Sequence, residues 1–375
     1  MARERLTGID MARGLALMGM LAVHFGPKDD ESWLGRLYSL PHGRASILFV
    51  IVAGVGMALL SGSPEKQGEA RLRLFLFALV LLPLGLTLQL LDHGVAVILQ
   101  HYSAMFLLGA VVLGLERRYL FWLAVSCSLV GPLLYYLIGS EVPGVLEGFP
   151  TQWGQPAWYL PLALTVAGPY PLLSWAAPVS FGLWIGRLPL REASVQCGLL
   201  VGGAVVAALA AALSHLLTAW LGDPSSAQDP RQLVVMYAHS EMPLWVLQAC
   251  GAAAAVLGGC LLLARGARLL AVPFAALGRF ALTAYVAHLV ALHIAEPLLR
   301  HDTVPAALLS VLLFSAVMSG VALVWESRFA RGPVEYLLHA PWQFARGTLV
   351  HSSAKPAAQK QPARSLHDPI TADSR

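Results

Sequence analysis

The sequence predicts an all-α fold: a polytopic integral membrane bundle of about ten transmembrane helices. The chain is 57% hydrophobic and only 12% charged, whereas a soluble domain carries roughly 25% charged residues. Its mean hydropathy is +0.66. Apolar runs near the length of about 20 residues that spans a bilayer recur along the chain. We therefore expect a multi-pass protein of the cell (cytoplasmic) membrane.

Ten apolar segments qualify as spans. The sixth contains Pro169, Pro171 and Pro178, so it could combine a re-entrant segment with a span, and the count is ten or eleven. The ten segments are 11–26, 45–60, 74–91, 95–115, 119–139, 165–186, 196–220, 243–264, 271–294 and 305–326.

Lysine and arginine predict the orientation, because cytoplasmic loops carry an excess of both. With the N-terminus inside, eighteen of the 25 fall in cytoplasmic segments, five on the opposite side and two within apolar runs. Both termini are then cytoplasmic. We expect one transmembrane domain over 1–331 and a cytoplasmic tail over 332–375. The polar, Pro/Ala/Ser-rich composition predicts disorder from about residue 352.

Several classes of chemistry lack a signal in the sequence. The four cysteines fall inside apolar runs without metal-ligand spacing, so no metal is expected. The net charge of +4 comes mainly from loops and tail, which reports topology rather than a nucleic-acid partner. Gly198 and Gly202 form a GxxxG pattern, which indicates helix packing more often than any chemistry.

The first span carries ionisable groups at both ends. Asp10 and Arg13 are three residues apart, so they share a helix face and can pair. The pair either anchors the helix at the interface or holds an arginine ready for an anionic ligand, such as the phosphate of a nucleotide cofactor. His24 lies three turns beyond Arg13 on the same face. Its simpler interpretation is a packed core histidine.

Further candidates stand where other spans begin. His42 lies in a Pro-His-Gly-Arg turn on the predicted outer side, where it is either a general base or an interfacial cap. The charge of Arg44 costs free energy at this depth in the membrane unless it is paired. The remaining polar residues either line a site or form interhelical hydrogen bonds. They are Gln100, His101 and Tyr102 in span 4, and Arg279, Thr283, Tyr285 and His288 in span 9.

The string RLTGIDMARGLALMGMLAVHFG resembles the opening of the transmembrane acyltransferase superfamily, whose best-known member type is heparan-alpha-glucosaminide N-acetyltransferase. The resemblance covers most of residues 3–330. The motifs that carry it are Asp10-Met11-Ala12-Arg13-Gly14, a histidine before span 2 (His42), Leu99-Gln100, and the segment from Gly278 to Tyr285. It implies a transmembrane acyltransferase-like domain in which acetyl-CoA binds from the cytoplasm. The acetyl group then reaches an acceptor on the other side, with His42 as the catalytic histidine.

The resulting expectation is a membrane-embedded acyltransferase with acetyl-CoA as the acyl donor. The acceptor is an amine or hydroxyl of an extracytoplasmic glycan, lipid or small molecule, and a homodimer is compatible with the sequence. The expected catalytic residues are His42, Asp10 and His24. The expected acyl-CoA-binding residues are Arg13, Arg44, Gln100, Tyr102, Arg279 and Tyr285.

Two other functions fit the same residues. A small-solute transporter would use the buried ionisable groups as a proton relay. A sensory or scaffold membrane protein would keep the fold without the chemistry. Binding of acyl-CoA separates the first interpretation from both alternatives.

Overall fold

The computed structural model describes residues 5–27, 30–62, 64–142, 144–146, 153–156 and 158–353. This part of the chain contains helices and no strand, so the predicted all-α fold is confirmed. The first seven helices are α1 (Thr7–Phe25), α2 (Trp33–Tyr38), α3 (Arg44–Ser61), α4 (Gln67–Leu88), α5 (Leu99–Val112), α6 (Arg117–Glu141) and α7 (Tyr159–Thr165). The next seven are α8 (Leu172–Ile185), α9 (Ala193–Leu221), α10 (Pro243–Gly266), α11 (Arg268–Arg279), α12 (Ala281–Leu299), α13 (Val304–Glu326) and α14 (Pro333–Ser353).

Eight helices in the described residues are long and apolar enough to cross a bilayer: α1, α3, α4, α6, α9, α10, α12 and α13. The apolar helices α5 and α8 are shorter. Each of the ten predicted segments overlaps at least one of these ten helices, and the polytopic helical architecture is confirmed. The number that spans the bilayer and the cytoplasmic placement of both termini stay predictions.

Two of the ten predicted segments are not continuous helices. In the sixth, α7 ends at Thr165 and α8 begins at Leu172. Prolines at 169 and 171 fall in the connection, where the missing N–H of proline breaks no helical hydrogen bond. In the ninth, α11 ends at Arg279 and α12 begins at Ala281. Phe280, with φ −103° and ψ 15°, separates them.

Helix α14 occupies the first half of the predicted tail and packs against α4 and α12. Its Glu335 carboxylate accepts hydrogen bonds from the backbone N–H of Leu282 (2.8 Å) and Thr283 (3.1 Å), and from the Thr283 hydroxyl (2.5 Å). A carboxylate satisfies the free N–H groups of a helix start and complements its dipole. Glu335 therefore caps α12. The tail disorder predicted from about residue 352 falls on residues 354–375, which lie outside the described residues.

Helices α1 and α11 cross with their backbones in contact. A Cβ on Gly278 would lie 1.8 Å from the carbonyl oxygen of Asp10, and one on Gly14 would lie 2.1 Å from that of Phe274. Small residues are enriched where membrane helices approach this closely. The crossing places the Asp10-to-Gly14 motif directly beside the end of α11.

Candidate functional site

A cavity of about 1160 Å³ opens at one end of the bundle. Its walls include residues near Arg5, Ser61, Arg187 and Arg331, all from segments that the lysine and arginine count assigns to the cytoplasm. The volume exceeds the roughly 300–1,000 Å³ of most small-molecule sites. The cavity is therefore large enough for an extended ligand.

The cavity is rich in arginine. Its lining carries seven arginines against four carboxylates, which leaves a net charge of +3 and favours a polyanionic ligand. The arginines are Arg5, Arg13, Arg73, Arg187, Arg191, Arg279 and Arg331, and the carboxylates are Asp10, Glu192, Glu326 and Glu335.

Asp10 holds two of these arginines. Arg5 donates to both carboxylate oxygens, at 2.6 and 3.0 Å, and Arg13 donates to Oδ1 at 2.8 Å. Arg13 also donates to the carbonyl oxygen of Gly278 at 3.2 Å. Asp10 is only 3% exposed, and a buried carboxylate is stable only when it is paired. The predicted Asp10–Arg13 pair is confirmed, and its geometry makes Asp10 the residue that positions both guanidinium groups.

Other arginines of the lining are also fixed. Arg279 makes a two-point contact with Glu326, at 2.5 and 2.6 Å. Arg187 donates to the carbonyl oxygen of Leu113 at 2.5 Å. The guanidinium of Arg73 lies 5.3 Å from the centre of the Phe77 ring. Fixed cations bind an anion with little further ordering of side chains.

The cavity reaches deep into the bundle along α3. Lining residues on this helix run from Ser61 to Phe49, about 18 Å at 1.5 Å per residue. At the deep end the rings of Phe49 and Tyr102 meet edge-on, 5.8 Å apart. No described residue offers a hydrogen-bond partner to the Tyr102 hydroxyl. Phe49 lies five residues, about 7.5 Å, from the start of α3 at Arg44, and His42 stands in the turn just before that start.

His42 is exposed in the turn before α3. Gly43 follows with φ +70°, a conformation that costs glycine little. The His42 ring meets that of His239 edge-on at 6.1 Å. Partial burial, the neighbouring His239 and Arg44 lower the pKa of His42, so the neutral, proton-accepting form prevails near pH 7.

Sequence reasoning missed His239 and Glu241, both in the segment before α10. His239 packs against Tyr170, Trp175 and Trp245, with ring centroids 5.6, 6.2 and 5.8 Å away. Glu241 is 2% exposed, and burial raises its pKa. The available signal was a His-Ser-Glu triplet in a predicted outer segment next to a span.

The predicted site residues fall into two groups. Asp10, Arg13, Tyr102 and Arg279 line the cavity. The other five do not line it. Of these, Arg44 lies at the opposite end of α3, where its Nε donates to Gln248 Oε1 at 2.8 Å and its Nη1 to the Leu40 carbonyl at 3.1 Å.

Tyr285 and Gln100 make contacts between neighbouring helices. The Tyr285 hydroxyl accepts a hydrogen bond from the Ile98 backbone N–H at 3.2 Å. The buried Gln100 packs against Gly85. A Cβ on Gly85 would lie 2.4 Å from the backbone nitrogen of Gln100. Neither residue lines the cavity, and their role in acyl-CoA binding stays a prediction.

His24 lies at the end of α1 away from the cavity. Its Nδ1 is 3.0 Å from His288 Nε2, and the two rings are nearly parallel at 5.2 Å. The pair joins α1 to α12. His24 and His42 are close enough to interact electrostatically, so both predicted catalytic histidines lie at the end of the bundle opposite the cavity mouth.

Comparison with protein families gives two matches. The family described as heparan-alpha-glucosaminide N-acetyltransferase, catalytic, matches residues 5–222, more than half of the chain. The family described as protein of unknown function (DUF418) matches residues 191–343. Comparison with curated proteins finds no match. The first region contains Asp10, Arg13 and His42, whereas His239 and Glu241 lie in the second.

Proposed function

Because the chain belongs to the family of heparan-alpha-glucosaminide N-acetyltransferase catalytic domains, we propose that it is a membrane acyltransferase. The donor is acyl-CoA, with acetyl as the first acyl group to test, and it binds from the cytoplasmic side. The acceptor is an amine or hydroxyl on the other side of the membrane, as in a cell-envelope sugar.

The observation that carries this proposal is the arginine-lined cavity. CoA presents a 3′-phosphate and a pyrophosphate, and guanidinium groups bind phosphate through paired, charge-assisted hydrogen bonds. Arg5 and Arg13, held by Asp10, and Arg279, held by Glu326, offer such groups near the mouth. The deep end beside Phe49 and Tyr102 is less polar and suits the pantetheine arm.

The transfer step assigns a role to His42. The acceptor N–H or O–H attacks the thioester carbonyl carbon, a C–N or C–O bond forms, and the C–S bond breaks. His42 takes the proton from the acceptor and returns it to the departing CoA thiolate, so that the products are the acylated acceptor and CoA. His42 is suited to this role because its neutral imidazole is exposed at the acceptor side. His24 lies nearby at the same end of the bundle.

Titration calorimetry of acetyl-CoA into the full-length protein in detergent tests the donor. We expect saturable binding, weaker binding of 3′-dephospho-acetyl-CoA, and roughly tenfold weaker binding by Arg13→Ala, which corresponds to about 1.4 kcal/mol. Arg231→Ala is the matched control. Arg231 is likewise paired with an aspartate, Asp229, but stands in the predicted outer segment 221–242.

If Arg13→Ala and wild type bind acetyl-CoA with equal affinity, the cavity is not the donor-binding site. Absence of binding to folded wild-type protein would refute the acyltransferase. Proton-coupled solute uptake by such a protein would then favour the transporter.

A further inference from the structure

Two residues at the outer end of the bundle hold an uncommon backbone conformation. His239 has φ +58° and Glu241 has φ +60°, and neither is a glycine. L-residues with a side chain avoid this left-handed region, and such residues cluster at functional sites. The segment is not a solvent-facing turn, because Ser240 and Glu241 are buried. Here the surrounding structure holds a strained backbone in place.

The strained segment brings three ionisable side chains into a row. The His239 ring lies edge-on to His42 at 6.1 Å. His239 Nδ1 also lies 3.8 Å from Glu241 Oε1. The indole of Trp175 stacks on His239, with an interplanar angle of 21°. The aromatic wall limits how far the imidazole can move away from this row.

The polar atoms of this row are unsatisfied. No hydrogen-bond partner in the described part of the chain reaches either carboxylate oxygen of Glu241 or the Nδ1 of His239. The indole N–H of Trp245 lacks one too, and the Glu241 carboxylate interacts only at longer range with the side chains of His239 and Trp175. A buried carboxylate without a partner is costly, and a neighbouring imidazole that takes up a proton compensates it. The Glu241 carboxylate therefore has the His239 imidazole as its neighbouring ionisable group.

We propose that Glu241 and His239 are positioning residues for His42, forming with it a carboxylate–histidine–histidine chain at the acyl-transfer site. The inference rests on the proposed function for its meaning in catalysis. It gives a role to the region matched by the DUF418 family, since His239 and Glu241 lie there and His42 does not.

In the transfer step, one ring nitrogen of His42 takes the proton of the attacking amine or hydroxyl. The N–H on the other ring nitrogen donates to His239, and the Glu241 carboxylate stabilises the positive charge that the two imidazoles share. When the C–S bond breaks, His42 returns its proton to the CoA thiolate and both imidazoles are neutral again. A base is usually oriented by a third group, and such contacts are often long before substrate binds.

Other ionisable groups face the same chain and are part of its titration. His24 on α1 and Arg44 at the start of α3 interact electrostatically with His42. Tyr135 on α6 and Tyr170 before α8 interact with Glu241. None of these groups is changed in the variants proposed below.

The test follows the reaction of His42 with diethyl pyrocarbonate, which modifies neutral imidazole, by mass spectrometry across pH. The full-length wild type is compared with Glu241→Gln and His239→Phe. We expect the midpoint of the His42 profile to fall by roughly half a unit to one unit in each variant, because the imidazolium loses its support. Glu241→Asp should recover part of the shift. The variant Tyr237→Phe, on the same segment, is the control for the substitutions. The profile of His293, which is exposed on α12, is the internal control in every sample.

The sign of the His239→Phe shift is decisive. If His239 acted only as a neighbouring charge, its removal would raise the His42 midpoint. A rise, or an unchanged midpoint in either folded variant, overturns the proposal. If Glu241→Gln does not fold, His239→Phe carries the same prediction.

Acetyl-CoA binding separates the two claims. Shifted midpoints without binding would refute the acyltransferase alone, and binding with unshifted midpoints would refute the chain alone.

Discussion

At the scale of single residues, Asp10 shows what a sequence pattern can and cannot predict. The i, i+3 spacing of Asp10 and Arg13 predicts their pair, because helical geometry fixes it. The second partner, Arg5, stands before the helix begins, and the contact of Arg13 with the Gly278 carbonyl joins positions 265 residues apart. His239 and Glu241 escape prediction for a similar reason. Their row depends on positive φ angles that nothing in the triplet encodes.

Asp10→Asn should weaken acetyl-CoA binding about tenfold while the protein stays folded. The amide is nearly isosteric but cannot hold both guanidinium groups with full charge assistance. Titration calorimetry measures the affinity, with Asp229→Asn as the control at the other end of the molecule. Wild-type affinity in Asp10→Asn would show that ordered arginines are not needed for the donor.

His42→Ala should lower the rate of acetyl transfer by roughly 10²–10⁴, the contribution of a positioned general base. Binding of acetyl-CoA should be unchanged, because His42 does not line the cavity. Transfer of radiolabelled acetyl groups to glucosamine, used as a probe acceptor, measures the rate beside the calorimetric affinity. A fully active variant would remove His42 from the mechanism.

At the scale of helices, the sequence predicts where apolar runs lie but not where they break. The ninth predicted span is interrupted at Phe280, and Glu335, more than fifty residues later, caps the new helix start. The sixth is interrupted at Pro169 and Pro171 as predicted, whereas Pro178 lies inside the continuous helix α8. The sequence does not predict helix α14, because it lies in a segment whose polar C-terminal end indicates a tail. It closes one wall of the cavity through Leu338 and His339.

Gly278→Ala should destabilise the protein by about 1–3 kcal/mol, the usual cost of forcing a methyl group into a packed interface. The added Cβ would meet the Asp10 carbonyl, so α1 and α11 must separate. Gly320→Ala on α13 is the control, because no atom lies within 4 Å of its added Cβ. Thermal unfolding in detergent measures both. Equal melting temperatures would contradict the backbone contact.

Docking of α14 should weaken as the pH falls from about 6.5 to about 4. Burial, with Arg73 and Arg331 nearby, lowers the pKa of His339 from 6.5 to about 4. Between pH 6.5 and pH 4, His339 is protonated when α14 is undocked and neutral when it is docked. Protonation therefore favours undocking. Hydrogen exchange of α14 amides, corrected for the intrinsic pH effect, should show the loss. His339→Gln should remove this pH dependence, and its persistence there would assign it to another group.

At the scale of the whole molecule, the length and spacing of the apolar segments predict most of the helical architecture. All ten apolar segments recur as helices, and the predicted inner ends of α1, α3, α8 and α13 meet at one cavity. The proposed site is harder to predict, since it joins residues from both family-matched regions. The proposed donor cavity and the histidines lie at opposite ends of the bundle. This separation is the basis of the proposed transfer across the membrane.

Binding of radiolabelled acetyl-CoA to sealed membrane vesicles of both orientations tests this arrangement most directly. The donor does not cross the bilayer, so it reports only the face to which it is added. We expect saturable binding to inside-out vesicles, little to right-side-out vesicles, and roughly tenfold weaker binding to inside-out vesicles carrying Arg13→Ala. Equal binding to both orientations, or binding confined to right-side-out vesicles, would contradict a donor site on the cytoplasmic side.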